Sequence, residues 1–193
     1  MAKLYVYDSS STLDRKQAAG RFSGDSGITT LGVGSVQELH LGLARLVANG
    51  VTFNRVLFQT HGNSGMIFFN DRTITASDFS TTFASGAYYR LFPQRTKVYF
   101  DGCNVAAGDQ GWGFLSAAGK ALLRNAGGIT MGYTSLGTGF PGWLPFKGGH
   151  TVHFAGGLRF IEFRPGPVWA SQFDANDASI PEQLAAFKKL DAF

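Results

Sequence analysis

Cys103 is the only cysteine of the chain, and it is delivered, after Asp101-Gly102, by the strand-like run Lys97-Val98-Tyr99-Phe100. His61 stands in the same relation to Val56-Leu57-Phe58-Gln59-Thr60. A thiol with a pKa near ~8.5 is only a few per cent ionised at neutral pH, and an imidazole within reach can raise its reactivity or protonate a leaving amine. Such a pair suits acyl transfer, which also needs backbone N–H donors for the developing oxyanion. The amides of Gly62 and Cys103 are the natural candidates. Gly62 and Gly102 would let a substrate backbone approach closely. Asp101, two residues before the thiol, is a carboxylate that could attract a cationic side chain or hydrogen-bond loop amides.

Other readings of these residue types stand beside that one. A lone cysteine is often an inert, buried small hydrophobe, and a lone histidine is often a hydrogen-bonded structural group. His40 lies in a Leu-rich helical stretch and reads as structural. His150 and His153, three residues apart, lack an evident carboxylate partner for a metal site. No cofactor is expected. Gly32-x-Gly34 precedes a helical pattern, but a third glycine and an adjoining strand are missing from the phosphate-cradling motif. Of the aromatic residues Trp112, Trp143 and Trp169, Trp143 falls in a loop long enough to act as a substrate-binding flap.

For His61 and Cys103 to meet, strands must carry them. Residues 4–7 predict a first strand closed by Asp8 and three serines. The stretch up to Gly34 reads as a Gly/Ser/Thr-rich loop. Ser35 as N-cap, with Glu38 three residues on, opens a helix marked by Leu39, Leu43, Leu46 and Val47 that stops at Asn49-Gly50. Residues 53–59 read as a strand buried on both faces. Residues 66–69 and 73–75 flank Asn70-Asp71 as a hairpin. A helix is expected over 77–92, ended by Pro93. Strand 97–100 and a helix from Trp112 to about Asn125 follow, and residues 129–133 predict another strand. After the loop 135–149, strands are expected at 152–154 and 158–163, with a closing helix over 181–190. This alternation predicts one α/β domain over residues 1–193, a three-layer αβα sandwich around a mostly parallel sheet. In such sheets the working residues gather beyond the strand C-termini, where both His61 and Cys103 fall.

Phe58-Gln59-Thr60-His61-Gly62 and Tyr99-Phe100-Asp101-Gly102-Cys103-Asn104 resemble the His-Gly and Asp-x-Cys strand ends of the caspase-like superfamily of cysteine peptidases, which includes caspases, metacaspases, gingipains and legumains. The histidine precedes the cysteine by 42 positions, near the ~50 that separate the pair in caspases. The resemblance covers residues 4–133. It implies a caspase-like fold, Cys103 as nucleophile, His61 as acid/base, and an oxyanion hole that includes the Gly62 amide. Asp101 resembles the metacaspase aspartate that lines the S1 pocket and selects Arg or Lys. Two features depart from the pattern: Asn104-Val105-Ala106 stands where metacaspases continue His-Ser-Gly, and the caspase Gln-Ala-Cys-Arg-Gly is absent. Gly102-Cys103-Asn104-Val105-Ala106 also resembles caspase-like domains of large bacterial surface proteins. The expected activity is that of a cysteine endopeptidase acting on a protein or peptide substrate. The alternative is a catalytically inactive caspase-like module that binds or scaffolds a protein partner.

Composition narrows the classes further. The 193 residues are 44% hydrophobic and 16% charged, enough apolar mass for a sizeable core. Glycine, at 26 residues against 6 prolines and without a repeat, excludes collagen-like chains. The net charge of +4 is spread rather than clustered, with its densest spots at Arg90, Arg95 and Lys97 and at Arg159 and Arg164. Nucleic acid is therefore not an expected partner. With one cysteine no internal disulfide can form. No apolar run approaches the ~20 residues of a membrane span, so no membrane is expected and a cytoplasmic location is the default. Delivery into another cell without a signal would leave no trace in the sequence, and the oligomeric state is not encoded in any motif.

Overall fold

A computed structural model describes residues 2–12, 15, 27–139, 151–153, 157–166 and 168–190. Its centre is a seven-stranded sheet of β1 (Lys3–Asp8), β2 (Ile28–Val33), β3 (Arg55–Gln59), β7 (Thr96–Phe100), β8 (Gly128–Tyr133), β11 (Leu158–Arg164) and β12 (Val168–Asp174). The spatial order is β12-β11-β8-β7-β3-β1-β2. The five strands from β2 to β8 are parallel, and β11 and β12 run antiparallel to their neighbours. A three-stranded antiparallel sheet of β4 (His61–Asn63), β5 (Met66–Phe68) and β6 (Thr73–Thr75) grows from the end of β3. β9 (Gly137–Gly139) pairs with β10 (Thr151–His153).

Alternate strand residues face opposite sides of a sheet, and the core divides accordingly. On one side Leu4, Val6, Val56, Phe58, Val98 and Phe100 meet Leu39 and Leu43 of α1 (Val36–Ala48) and Phe114 and Leu115 of α3 (Gly108–Leu122). On the other, Tyr5, Leu57, Tyr99, Met131 and Phe160 meet Ala186 and Leu190 of α4 (Ile180–Leu190). Helices thus pack on both faces. Strands buried on both sides carry the continuous apolar runs that made them legible in sequence. The Ser35 Oγ accepts the Glu38 N–H at 3.1 Å, the expected cap of α1.

Three expectations are corrected. The segment before Gly34, read as a loop, carries β2, an edge strand with only Val33 buried; its register with β1 supplies the order that its Gly/Thr-rich sequence conceals. The single helix expected over 77–92 is broken. A short α2 (Ala76–Asp78) widens into a π-helical turn (Phe79–Phe83), and a 3-10 turn (Tyr88–Leu91) follows Ala87 at φ +56°. The wide turn sets Phe79 and Phe83 4.5 Å apart, centroid to centroid, and both into the core. β12 was not anticipated, because its outer end exposes Val168 and Trp169 and gives no apolar run. The segment 140–150 of the expected flap, with Trp143, lies outside the described residues.

Candidate active site

β3 and β7 are adjacent and parallel, with Arg55 opposite Lys97, Val56 opposite Val98, Leu57 opposite Tyr99 and Phe58 opposite Phe100. Each pair is offset by 42 positions, the same offset that separates His61 from Cys103. The two residues therefore leave equivalent points of neighbouring strands, which lie ~4.8 Å apart. The pairing continues one step beyond β7, where the Asp101 N–H donates to the Phe58 carbonyl at 2.8 Å.

Past that point the two chain segments touch backbone to backbone. A Cβ on Gly102 would lie 3.1 Å from the Gly62 Cα, 3.2 Å from the Gly62 nitrogen and 2.8 Å from Val105 Cγ2. A Cβ on Gly62 would lie 2.5 Å from Val105 Cγ2 and 3.0 Å from the Cys103 carbonyl oxygen. Both positions exclude any side chain. The glycines expected to admit a substrate instead admit each other, because only bare backbones fit between these strand ends and the buried Val105.

His61 opens β4, so the chain leaves the main sheet at the residue that carries the imidazole. Buried Thr60 fixes this departure by donating its Oγ1 hydrogen bond to the His61 carbonyl at 2.9 Å. The imidazole itself is exposed, and among the described residues it makes no hydrogen bond. Cys103 and Asp101 are half-buried. Asn104, directly after the thiol, has φ +55°, a left-handed conformation that Asn tolerates better than most residues.

The turn behind Cys103 is tied on two sides. The N–H groups of Asn104 and Ala106 donate to the carbonyls of Ser135 at 2.8 Å and Tyr133 at 3.0 Å, at the end of β8. The Val105 carbonyl accepts the Gly65 N–H at 3.0 Å, and the Ala107 carbonyl accepts the Ser64 hydroxyl at 2.5 Å. Ser64, Tyr133 and Ser135 were not singled out in the sequence. They act through backbone-directed contacts that no local pattern encodes.

A strand does adjoin the glycine pair, contrary to the sequence reading, since Gly32 lies in β2 and Gly34 follows it, yet the donors at that helix start are engaged by the protein. The Gly34 N–H donates to Glu38 Oε2 at 2.8 Å, and the Val36 N–H donates to Asp71 Oδ1 at 3.0 Å. A groove of about 500 Å³ along α1 is lined by His40, Arg72 and Tyr88 among others, and by neither His61 nor Cys103. No helix among the described residues is long and apolar enough to cross a membrane. Comparisons with family models, with curated proteins and with solved structures found no match.

Proposed function

We propose that the chain is a cysteine endopeptidase of the caspase-like kind, its sheet forming the middle layer of a three-layer αβα sandwich. One observation carries the reading: His61 and Cys103 leave adjacent parallel strands at the same register, and Gly62 and Gly102 press those strand ends together. The Cys103 sulfur attacks the scissile carbonyl carbon to form a C–S bond, and the carbonyl oxygen takes the negative charge beside the amides of Gly62 and Cys103. The C–N bond then breaks, with the proton from the thiol passing through His61 to the leaving amine. Water, deprotonated by His61, cleaves the thioester and frees the acid and the thiol. Asp101 draws a basic P1 side chain. Catalytic hydrogen bonds are often loose in the absence of substrate, which accommodates an imidazole that is unbonded among the described residues.

That unbonded imidazole also suits a second reading, a module with the same strands that binds a protein partner without turnover. Fluorogenic peptides with Arg at P1 separate the two. The parent protein hydrolyses them, Cys103→Ala has no activity, and His61→Ala is slower by roughly 10²–10⁴-fold, the usual range for loss of a positioned acid/base. Equal turnover by parent and Cys103→Ala would place the nucleophile elsewhere, and a peptide that binds the parent without being cleaved would favour the binding module.

A further inference from the structure

We propose that Arg159 is a positioning residue for Cys103, clamping the end of the thiol-bearing turn at Ala106 and Gly108. The inference rests on the peptidase reading. Arg159 stands on β11, and its side chain is only 17% exposed. Its Nε donates to Asp174 Oδ2 of β12 at 2.5 Å, which fixes the plane of the guanidinium. Its Nη1 then donates to the Ala106 carbonyl at 2.9 Å and to the Gly108 carbonyl at 3.1 Å. The guanidinium also lies over the Trp112 ring, 4.8 Å from the centroid.

Three arguments point from this arrangement to the site. The acceptors lie three and five residues beyond the thiol, Ala106 in the segment that joins Cys103 to α3 and Gly108 at the first residue of α3. A cation at the start of a helix opposes the helix dipole, so the charge itself gains nothing from α3, and Asp174 supplies the compensating charge. The left-handed Asn104 persists only where its surroundings over-determine it. The β8 end holds the Asn104 and Ala106 N–H groups, the β4–β5 connection holds the Val105 and Ala107 carbonyls, and Arg159 holds the carbonyls of Ala106 and Gly108. A planar fork can meet one carboxylate and two carbonyls together; an ammonium cannot reproduce that geometry.

The test uses the full chain, with active sites counted by a peptide alkylating agent so that each rate refers to folded, thiol-competent protein. Arg159→Met lowers kcat per titrated site by roughly tenfold to a hundredfold, the cost of a misplacement near 1 Å, with KM within about threefold of the parent. In that background His61→Ala costs less than its full effect of roughly 10²–10⁴-fold, because part of the proton-transfer geometry is already lost. Arg159→Lys does not restore the rate. Should Arg159→Met fail to fold, Asp174→Asn, which retains a hydrogen-bond acceptor for the guanidinium, gives the same kcat loss in smaller measure. An arginine with a structural role alone would lower the melting temperature, leave kcat per titrated site at the parent value and leave the His61→Ala effect at full size; that result overturns the clamp. If the parent's own turnover is indifferent to Cys103 and His61, the peptidase reading fails first, a result distinguishable from an unimpaired Arg159→Met enzyme whose activity does require both.

Discussion

At the scale of residues the account turns on where three side chains leave the sheet. His61 and Cys103 take their places from the register of β3 and β7, and Asp101 takes its place from the hydrogen bond that extends that register by one residue. A half-buried carboxylate two positions before the proposed nucleophile, in a chain of net charge +4, is suited to an arginine at P1, which can make two parallel N–H···O contacts with it. Such a charged contact is worth on the order of 1.5–3 kcal/mol. Arg should therefore exceed Asp or a large apolar residue at P1 by about tenfold to a hundredfold in kcat/KM, and Asp101→Asn should remove most of that margin while leaving a neutral P1 substrate unaffected. A peptide panel varied only at P1 measures this. A parent preference for Asp or for a large apolar residue would remove Asp101 from the pocket.

At the scale of elements, close packing of α3 on the sheet is what holds the segment after Cys103 in place. Gly119 of α3 faces Phe163 of β11, and a Cβ there would fall 2.1 Å from the ring's Cε2. Replacing a helical glycine by alanine ordinarily gains about 1 kcal/mol. Here the fully buried ring cannot withdraw without disturbing its neighbours, and overpacking costs about 1–3 kcal/mol. Gly119→Ala should lower the urea midpoint, and an increase would show that the helix stands further from β11 than the structure has it. The same packing explains which elements were legible beforehand. β3, β7 and β8 are buried on both faces and read as apolar runs, and α1 announces itself through Ser35 and a Leu stripe. β2 and β12 are edge strands whose order comes from backbone pairing, which leaves little mark on side-chain pattern. The π-helical turn exists because Phe79 must reach Phe100 and Phe114, a tertiary demand that overrides the helical spacing of 77–92. For the site, the strand-end pair was visible in sequence; the mutual contact of Gly62 with Gly102 and the tethers from Ser64, β8 and Arg159 were not, since each depends on residues distant in the chain.

At the scale of the whole molecule, stability carries a pH dependence that His40 sets. His40 of α1 packs between Phe83 and Tyr88, with its Nδ1 2.9 Å from the Tyr88 hydroxyl. Burial, aided by the Arg72 guanidinium and only partly countered by Asp78, holds its pKa below the ordinary 6.5. A histidine depressed in the folded state contributes stability above its unfolded pKa and loses it as pH falls through the folded value. The melting temperature should therefore drop between about pH 7 and pH 5, and His40→Gln, which cannot charge, should show a shallower drop from a lower start. Equal slopes for the two proteins would show that His40 titrates freely. Neither His61 nor Cys103 lines the groove that holds His40, so acidification should erode the fold through His40 and not through the proposed dyad.

The central claim is that His61 acts on the thiol of Cys103, and the chain's single cysteine makes the direct measurement free of background. The second-order rate of Cys103 alkylation by iodoacetamide at neutral pH, compared between the parent and His61→Ala, reads that coupling without any need to know the substrate. The account predicts a fall of at least about tenfold on removing the imidazole, because in the proposed mechanism His61 is the base that takes the thiol proton as the sulfur attacks. Equal rates in the two proteins would contradict it.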